Sequence, residues 1–176
     1  MLAAVLLFVR FIITILKARF RSRIAPLDES VVHFTVLPHD CDLNMHLNAG
    51  RYICFMDVAR IELLARMRVL RPAIRRGWRP LVGGNVVRYR RSVLPFERFA
   101  VRSRVLGWDD KWFYIEHLIE RKDGSLAATG TVRTLLRSGS RNVEPRELME
   151  LMNVPELQSP ALPPFVEQWR RAEDMR

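Results

Sequence analysis

The chain has 176 residues, 49% hydrophobic and 27% charged, with a formal net charge of +10 carried mostly by arginine. That length suits one domain with short appendages, whose core needs neither disulfides nor a metal to hold it. The two cysteines, Cys41 and Cys54, read as reduced thiols in a reducing compartment, and nothing marks Cys41 as an activated nucleophile. The charge favours anionic partners such as nucleic acid, an acidic membrane surface or a phosphate-rich ligand. Many of the arginines alternate with apolar residues, as in Val86-Val-Arg-Tyr-Arg-Arg91, which is the pattern of a solvated sheet face. No zinc-finger spacing or aromatic RNA-binding signature accompanies them, so no nucleic-acid partner is expected.

Residues 1–16 are apolar except for Arg10 and Thr14, and Lys17, Arg19, Arg21 and Arg23 follow. A signal peptide would carry its charge on the other side and end in a small-residue cleavage site. A spanning helix would need about 20 apolar residues. Arg10, Thr14, Lys17 and Arg21 recur at helical spacing on one stripe, which suits a helix lying in the membrane interface with its arginines reaching the headgroups. Residues 1–23 are therefore expected to form a membrane-associated helix with a basic flank. A short tilted signal anchor is the alternative, and a soluble helix packed on its own domain is the bland reading. If the helix spans, the basic flank puts the main domain on the cytoplasmic side, the expected localisation.

The main domain is expected over residues 24–140, with a short helix and Pro-rich tail over 141–176. Val31–Leu37 alternates and is rich in β-branched residues, so it reads as a strand ended by Pro38. Asn48 is a good N-cap for a helix from Ala49 to Leu70 that is apolar over most of its circumference and hence largely buried. Arg71–Pro80 reads as a basic connection with room for a short helix, and Gly83-Gly84 as a turn or bulge. The period then changes to two, with strands expected at about 85–93, 97–107, 111–121 and 126–137. Asp109-Asp110 and the Asp-Gly pair of Lys122–Ser125 supply hairpin turns, which implies an antiparallel meander. Pro145 opens a short helix, and a last helix is expected at 165–173. A helix apolar nearly all round needs a sheet wrapped about it; the fold class is α+β, and a partly uncovered edge makes a dimer plausible.

The chemistry concentrates in Pro38–Tyr52, where Asp40, Asp42, Asn44, His46 and Asn48 occupy alternate positions before the helix. Asp40-x-Asp42-x-Asn44 begins like a calcium loop. However, Met45 stands where glycine is needed and Arg51 where the closing glutamate is needed. His39 and His46 are too few for zinc, and no G-x-S-x-G occurs. No metal or cofactor is therefore expected. Between a strand and the free amide end of a buried helix, the amides of Ala49 and Gly50 can receive a carbonyl oxygen. A carboxylate a few residues earlier can attack that carbonyl or activate a water.

Asp40-Cys-Asp-Leu-Asn-Met-His-Leu-Asn48, followed by Tyr52 and Asp57-x-x-Arg60, resembles the hotdog-fold thioesterases of the 4-hydroxybenzoyl-CoA type. It also resembles plant acyl-carrier-protein thioesterases, whose motif runs Asp-x-Asn-x-His-Val-Asn-Asn. Leu106-Gly-Trp-Asp-Asp-Lys-Trp-Phe-Tyr-Ile-Glu116 resembles a membrane-associated, thioesterase-like branch. The resemblance covers about residues 31–137. It implies a hotdog fold, an antiparallel sheet around one long central helix, and hydrolysis of acyl-CoA or acyl-carrier-protein thioesters by a homodimer. It places Asp42 as nucleophile or general base and the Ala49 amide on the thioester carbonyl, with Asn44 and His46 in the active site. Asn48, Gly50 and Tyr52 complete the expected oxyanion and substrate surroundings, and Arg51, Arg90 and Arg91 are candidates for coenzyme A phosphates. Two departures stand out: Ala49 replaces the second asparagine, and Ser92 follows Tyr89-Arg90-Arg91 where the plant pattern has glutamate. They favour the rival reading, a non-catalytic acyl- or partner-binding protein at the membrane.

Overall fold

The computed structural model describes residues 2–175. Its centre is helix α2 (Ala49–Arg66), opened by Asn48, whose side-chain oxygen accepts from the Gly50 amide at 2.9 Å. Tyr52, Phe55, Met56, Val58, Ala59 and Leu63 are buried, as the all-round apolar pattern requires. The helix is shorter than its periodicity suggests. Arg68 takes a left-handed conformation at φ 64, and a separate short helix α3 (Leu70–Arg75) carries the rest.

A six-stranded antiparallel sheet curls about α2. Its strands are β1 (Ser30–Thr35), β2 (Trp78–Tyr89), β3 (Arg98–Trp108), β4 (Phe113–Arg121), β5 (Leu126–Ser138) and β6 (Arg141–Val143). The order is β1-β3-β4-β5-β2, with β6 beside β5. This is the hotdog arrangement, but it is not a simple four-strand meander. The segment 90–97 carries the chain across the sheet from β2 to β3 instead of turning back. Three strand spacings are roughly 15 Å, within the reach of roughly 25 Å that this segment has when extended. The glycine pair is a bulge: the β2–β5 register shifts between Val82 and Gly84. At Gly130 on β5 a Cβ would meet the Met56 sulfur at 2.5 Å, so glycine there leaves room for the tip of the Met56 side chain.

The core has two halves. Phe34, Phe55 and Phe99 stack at 4.9–5.7 Å under the first half of α2. Leu63, Met67, Trp78 and Phe113 fill the second half with Leu148 and Met149 of α4 (Pro145–Leu151). On the outer face of the sheet, α5 (Pro164–Asp174) brings Trp169 over Tyr114, and Arg133 lies between Trp112 and Trp169.

Helix α1 (Leu2–Arg19) runs parallel to α2 and lies against it. Arg10 meets Asp40 and Arg51 beside the start of α2, Arg21 meets Glu62, and the Ile24 amide donates to the Arg66 carbonyl. Three of the four residues of the stripe expected to reach headgroups are thus turned inward: Arg10, Thr14 and Arg21 face the protein, where Arg10 and Arg21 meet two buried carboxylates, while Lys17 is exposed. Glu62, only 2% exposed, is held by Arg21 at 2.7 Å and by the Ser30 hydroxyl. Its helical neighbour Arg66 stands off at 3.9 Å, so the (i, i+4) pair visible in the sequence is the weaker contact.

One buried polar pair crosses the sheet. His117 on β4 shares a hydrogen bond with the Ser103 hydroxyl of β3 at 2.8 Å. Burial, helped by the nearby Arg60 charge, drives its pKa down to about 3. The folded state therefore keeps His117 neutral, whereas an unfolded histidine protonates near 6.5. The stability this contributes is present above pH 6.5 and is lost as pH falls toward 3. Unfolding free energy should drop by about 2 kcal/mol between pH 6.5 and 5 through this group alone. Urea titrations at both pH values should show the drop in the wild type and a much smaller one in His117→Gln.

Candidate active site

The site begins where β1 ends. Pro38–Asp40 forms a single 3-10 turn, and Asp40 at its close is completely buried. Both carboxylate oxygens are taken: Arg10 donates to Oδ1 and Oδ2 at 2.9 and 2.7 Å, and Arg51 donates to Oδ1 through Nε and Nη2 at 2.9 and 2.6 Å. The Leu37 amide adds a bond to Oδ2 at 3.0 Å. Burial alone would raise the pKa of Asp40. The hydrogen bonds from Arg10, the Leu37 amide and Arg51 outweigh it and hold the group at about 2. The Asp40 carbonyl in turn accepts the Asn48 amide at 2.9 Å, so the turn and the cap of α2 are fixed to each other.

Residues 41–47 form a small loop closed by an antiparallel bridge between Cys41 and Leu47. Asp42 organises it: Oδ1 accepts the Asn44 amide at 2.9 Å and the His46 amide at 3.4 Å. Met45 sits at φ 56, a conformation side-chain-bearing residues rarely adopt. The second carboxylate oxygen of Asp42 has no hydrogen-bond partner among the described residues. Asp42, His46, Ala49 and Tyr52 line one open concavity of about 310 Å³, completed by Leu47, Tyr89, Arg90, Arg91 and Ser92. The Tyr52 hydroxyl donates to the Arg91 carbonyl at 3.4 Å, and burial raises its pKa.

Three residues depart from the sequence expectation. The Gly50 amide is occupied by the Asn48 cap, which leaves Ala49 as the helix-end amide without a partner among the described residues. Arg51 is turned onto Asp40 and away from any phosphate, because that carboxylate is buried and needs a second cation. Asn44 contributes its backbone to the loop, and its exposed side chain is not part of the concavity wall.

Other participants were not visible in the sequence. Tyr89, the last residue of β2, donates from its hydroxyl to the Ala49 carbonyl at 3.0 Å and stacks edge-on with Tyr52 at 5.2 Å. Arg88 joins Arg90 and Arg91 around an adjoining hollow of about 520 Å³. Arg10 reaches the loop from a different element; its only signal was a charge inside an apolar run.

Residues 36–170 match the family model of the thioesterase-like superfamily. A protein named THEM6 from Xenopus laevis is 32% identical over 169 residues, covering 95% of this chain and 80% of that protein. This chain is a member of the thioesterase-like superfamily. A probable thioesterase from Saccharomyces cerevisiae is 24% identical over 64% of this superfamily member and 50% of its own length. The crystal structure of a DHNA-CoA thioesterase from Staphylococcus aureus superposes with a TM-score of 0.66 at 16% identity, covering 73% of this chain and 88% of that one. At that identity the superposition speaks for the hotdog fold. Membership places the protein among thioester hydrolases.

The two aspartates should separate by experiment. Asp40→Asn leaves Arg10 and Arg51 facing a neutral group and should cost about 3–5 kcal/mol. Asp42→Asn keeps an acceptor for the loop amides and should change stability by less than about 1 kcal/mol. Thermal or urea unfolding of the two variants checks both values.

Proposed function

We propose that this protein hydrolyses acyl-CoA or acyl-carrier-protein thioesters to the free acid and thiol, with Asp42 as nucleophile or general base. One observation carries the reading: Asp42 and Ala49, whose amide has no partner among the described residues, line the same concavity at the positive end of α2. A thioester carbonyl oxygen accepting from Ala49 would develop its negative charge against that pole. The carboxylate then either adds to the carbonyl carbon and expels the thiolate, leaving an anhydride for water to cleave, or takes a proton from an attacking water. His46 lies on the same wall, placed to orient the water or to protonate the leaving sulfur.

Arg88, Arg90 and Arg91 form the basic shelf beside the concavity and are proposed to take the coenzyme A phosphates. An acyl chain is proposed to run along α2 and a dimer seam. The edge that would make the seam is β2, whose outer side is unpaired among the described residues. It leaves Leu81, Val82 and Val86 exposed and ends at Tyr89 in the site wall. Long apolar edges are commonly covered, and a second copy paired there in two-fold fashion would close the site from the side.

The rival reading, acyl binding without turnover, is favoured by Ser92 standing in the wall where the plant-type pattern has glutamate. Thiol release from a series of acyl-CoA chain lengths decides between them. The wild type should turn over, and Asp42→Asn should lower kcat at least about 100-fold. Substrate bound without thiol release would support the rival. Arg90→Ala/Arg91→Ala should raise KM for acyl-CoA several-fold. It should leave kinetics on a nucleotide-free thioester, such as an N-acetylcysteamine ester, unchanged.

A further inference from the structure

Helix α1 is amphipathic in the reverse sense to a helix on an ordinary protein surface. Arg10 and Thr14, together with Ala18 and the Arg21 that follows the helix, face the domain, with Leu7 and Phe11 beside them. Val5, Phe8, Val9, Ile12, Ile13, Ile15 and Leu16 are all exposed, Phe8 at 65% and Leu16 at 56%, and Phe20 beyond the helix at 86%. At 3.6 residues per turn these fall within roughly half of the helix circumference. Between Val5 and Leu16 that arc contains no hydrogen-bonding side chain.

The helix cannot roll to hide this face. Arg10 and Arg21 are committed to Asp40 and Glu62, and releasing either would strand a buried carboxylate. The apolar arc is therefore built to meet something other than water. Charge identifies what. Lys17 and Arg19, at the end of the arc, have no carboxylate partner among the described residues, and the chain carries a net charge of +10. Two copies meeting through this face would bring those cations together. An anionic lipid surface satisfies both them and the apolar arc. No helix among the described residues is long and apolar enough to cross a membrane.

We propose that α1 lies in the plane of an anionic bilayer, inserting its outward face among the lipids while its inward stripe holds the domain. Because α1 runs parallel to α2, the two turns before Arg10 extend past the start of α2, at the end where Asp42 sits. The Asp42 loop adds apolar surface at that end, with Leu43 102% and Met45 59% exposed. The site thus stands at the membrane surface. Given the thioesterase reading above, on which this part rests, its substrates are thioesters whose long acyl chains are already dissolved in the bilayer.

The test uses the full chain, purified in mild detergent and transferred to vesicles. It should float with vesicles of phosphatidylcholine and phosphatidylglycerol, and several-fold less with phosphatidylcholine alone. Ile12→Asp/Leu16→Asp alters only exposed positions. It should lose at least ten-fold in flotation while keeping the wild-type unfolding midpoint and the wild-type rate on a short-chain, water-soluble acyl-CoA. Vesicles should speed hydrolysis of a long-chain thioester by the wild type alone. A wild type that stays with the soluble fraction, or a double variant that floats as well as the wild type, overturns the proposal. So does a sedimentation mass that halves in the double variant without vesicle binding by the wild type, since the face would then belong to a second copy. Flotation reads lipid contact without reference to turnover, so an inactive wild type that floats would contradict the thioesterase reading and leave the docking surface standing.

Discussion

Asp40 is a carboxylate with no access to water, held by two guanidiniums that come from different places in the chain. Taking such an ion out of water costs several kcal/mol, and only close, multiple hydrogen bonds offset that cost. Arg51 supplies them from the first turn of α2 and Arg10 from α1, while the Leu37 amide closes the turn on the carboxylate itself. Arg10 also lies over the Phe55 ring at 4.7 Å, so the pair is embedded in the aromatic half of the core. One side chain thus ties the end of β1, the cap of the central helix and the N-terminal helix together.

The site follows from that junction. With Asp40 fixed, the chain leaves the 3-10 turn in one direction and returns to Asn48 after the short bridged loop. Asp42 is two residues along and cannot wander. Asn48 satisfies Gly50, and Ala49, whose amide is left without a partner among the described residues, lines the concavity together with Asp42. The two aspartates divide the labour that their environments allow. The one surrounded by arginines stabilises structure, and the one with a spare oxygen is available for chemistry. The same junction couples the apolar face of α1 to the site, because Arg10 cannot be moved without disturbing the loop.

The periodicities in the sequence are enough to recognise α2, β3, β4, β5 and the N-cap at Asn48, since each rests on a local pattern; β2 instead starts at Trp78, seven residues before the expected strand, and ends at Tyr89. Local patterns do not record which strands are neighbours. Nothing in residues 90–97 says that they cross the sheet, so the turn pattern suggests β2 beside β3, whereas it pairs with β5. The same limit applied to side chains. Asp42, His46 and Ala49 are legible as a group because they lie close together in the chain. Tyr89 enters through long-range sheet register, and Arg51 turns to Asp40 because that carboxylate is buried, which no local pattern records. The stripe on α1 is legible in the sequence, but periodicity cannot show which side of a helix faces its own domain. Two buried acids decide that, and one of them, Glu62, looked like half of an ordinary surface pair.

Asp42 and the Ala49 amide are proposed to act on one carbonyl. A crystal structure with an acyl-CoA analogue whose sulfur ester is replaced by an unreactive ketone tests this most directly. The analogue's carbonyl oxygen should lie about 3 Å from the Ala49 nitrogen, with the carbonyl carbon facing the Asp42 carboxylate and the pantetheine arm leading toward Arg90 and Arg91. An analogue bound elsewhere, or with its carbonyl turned from both groups, would contradict the account.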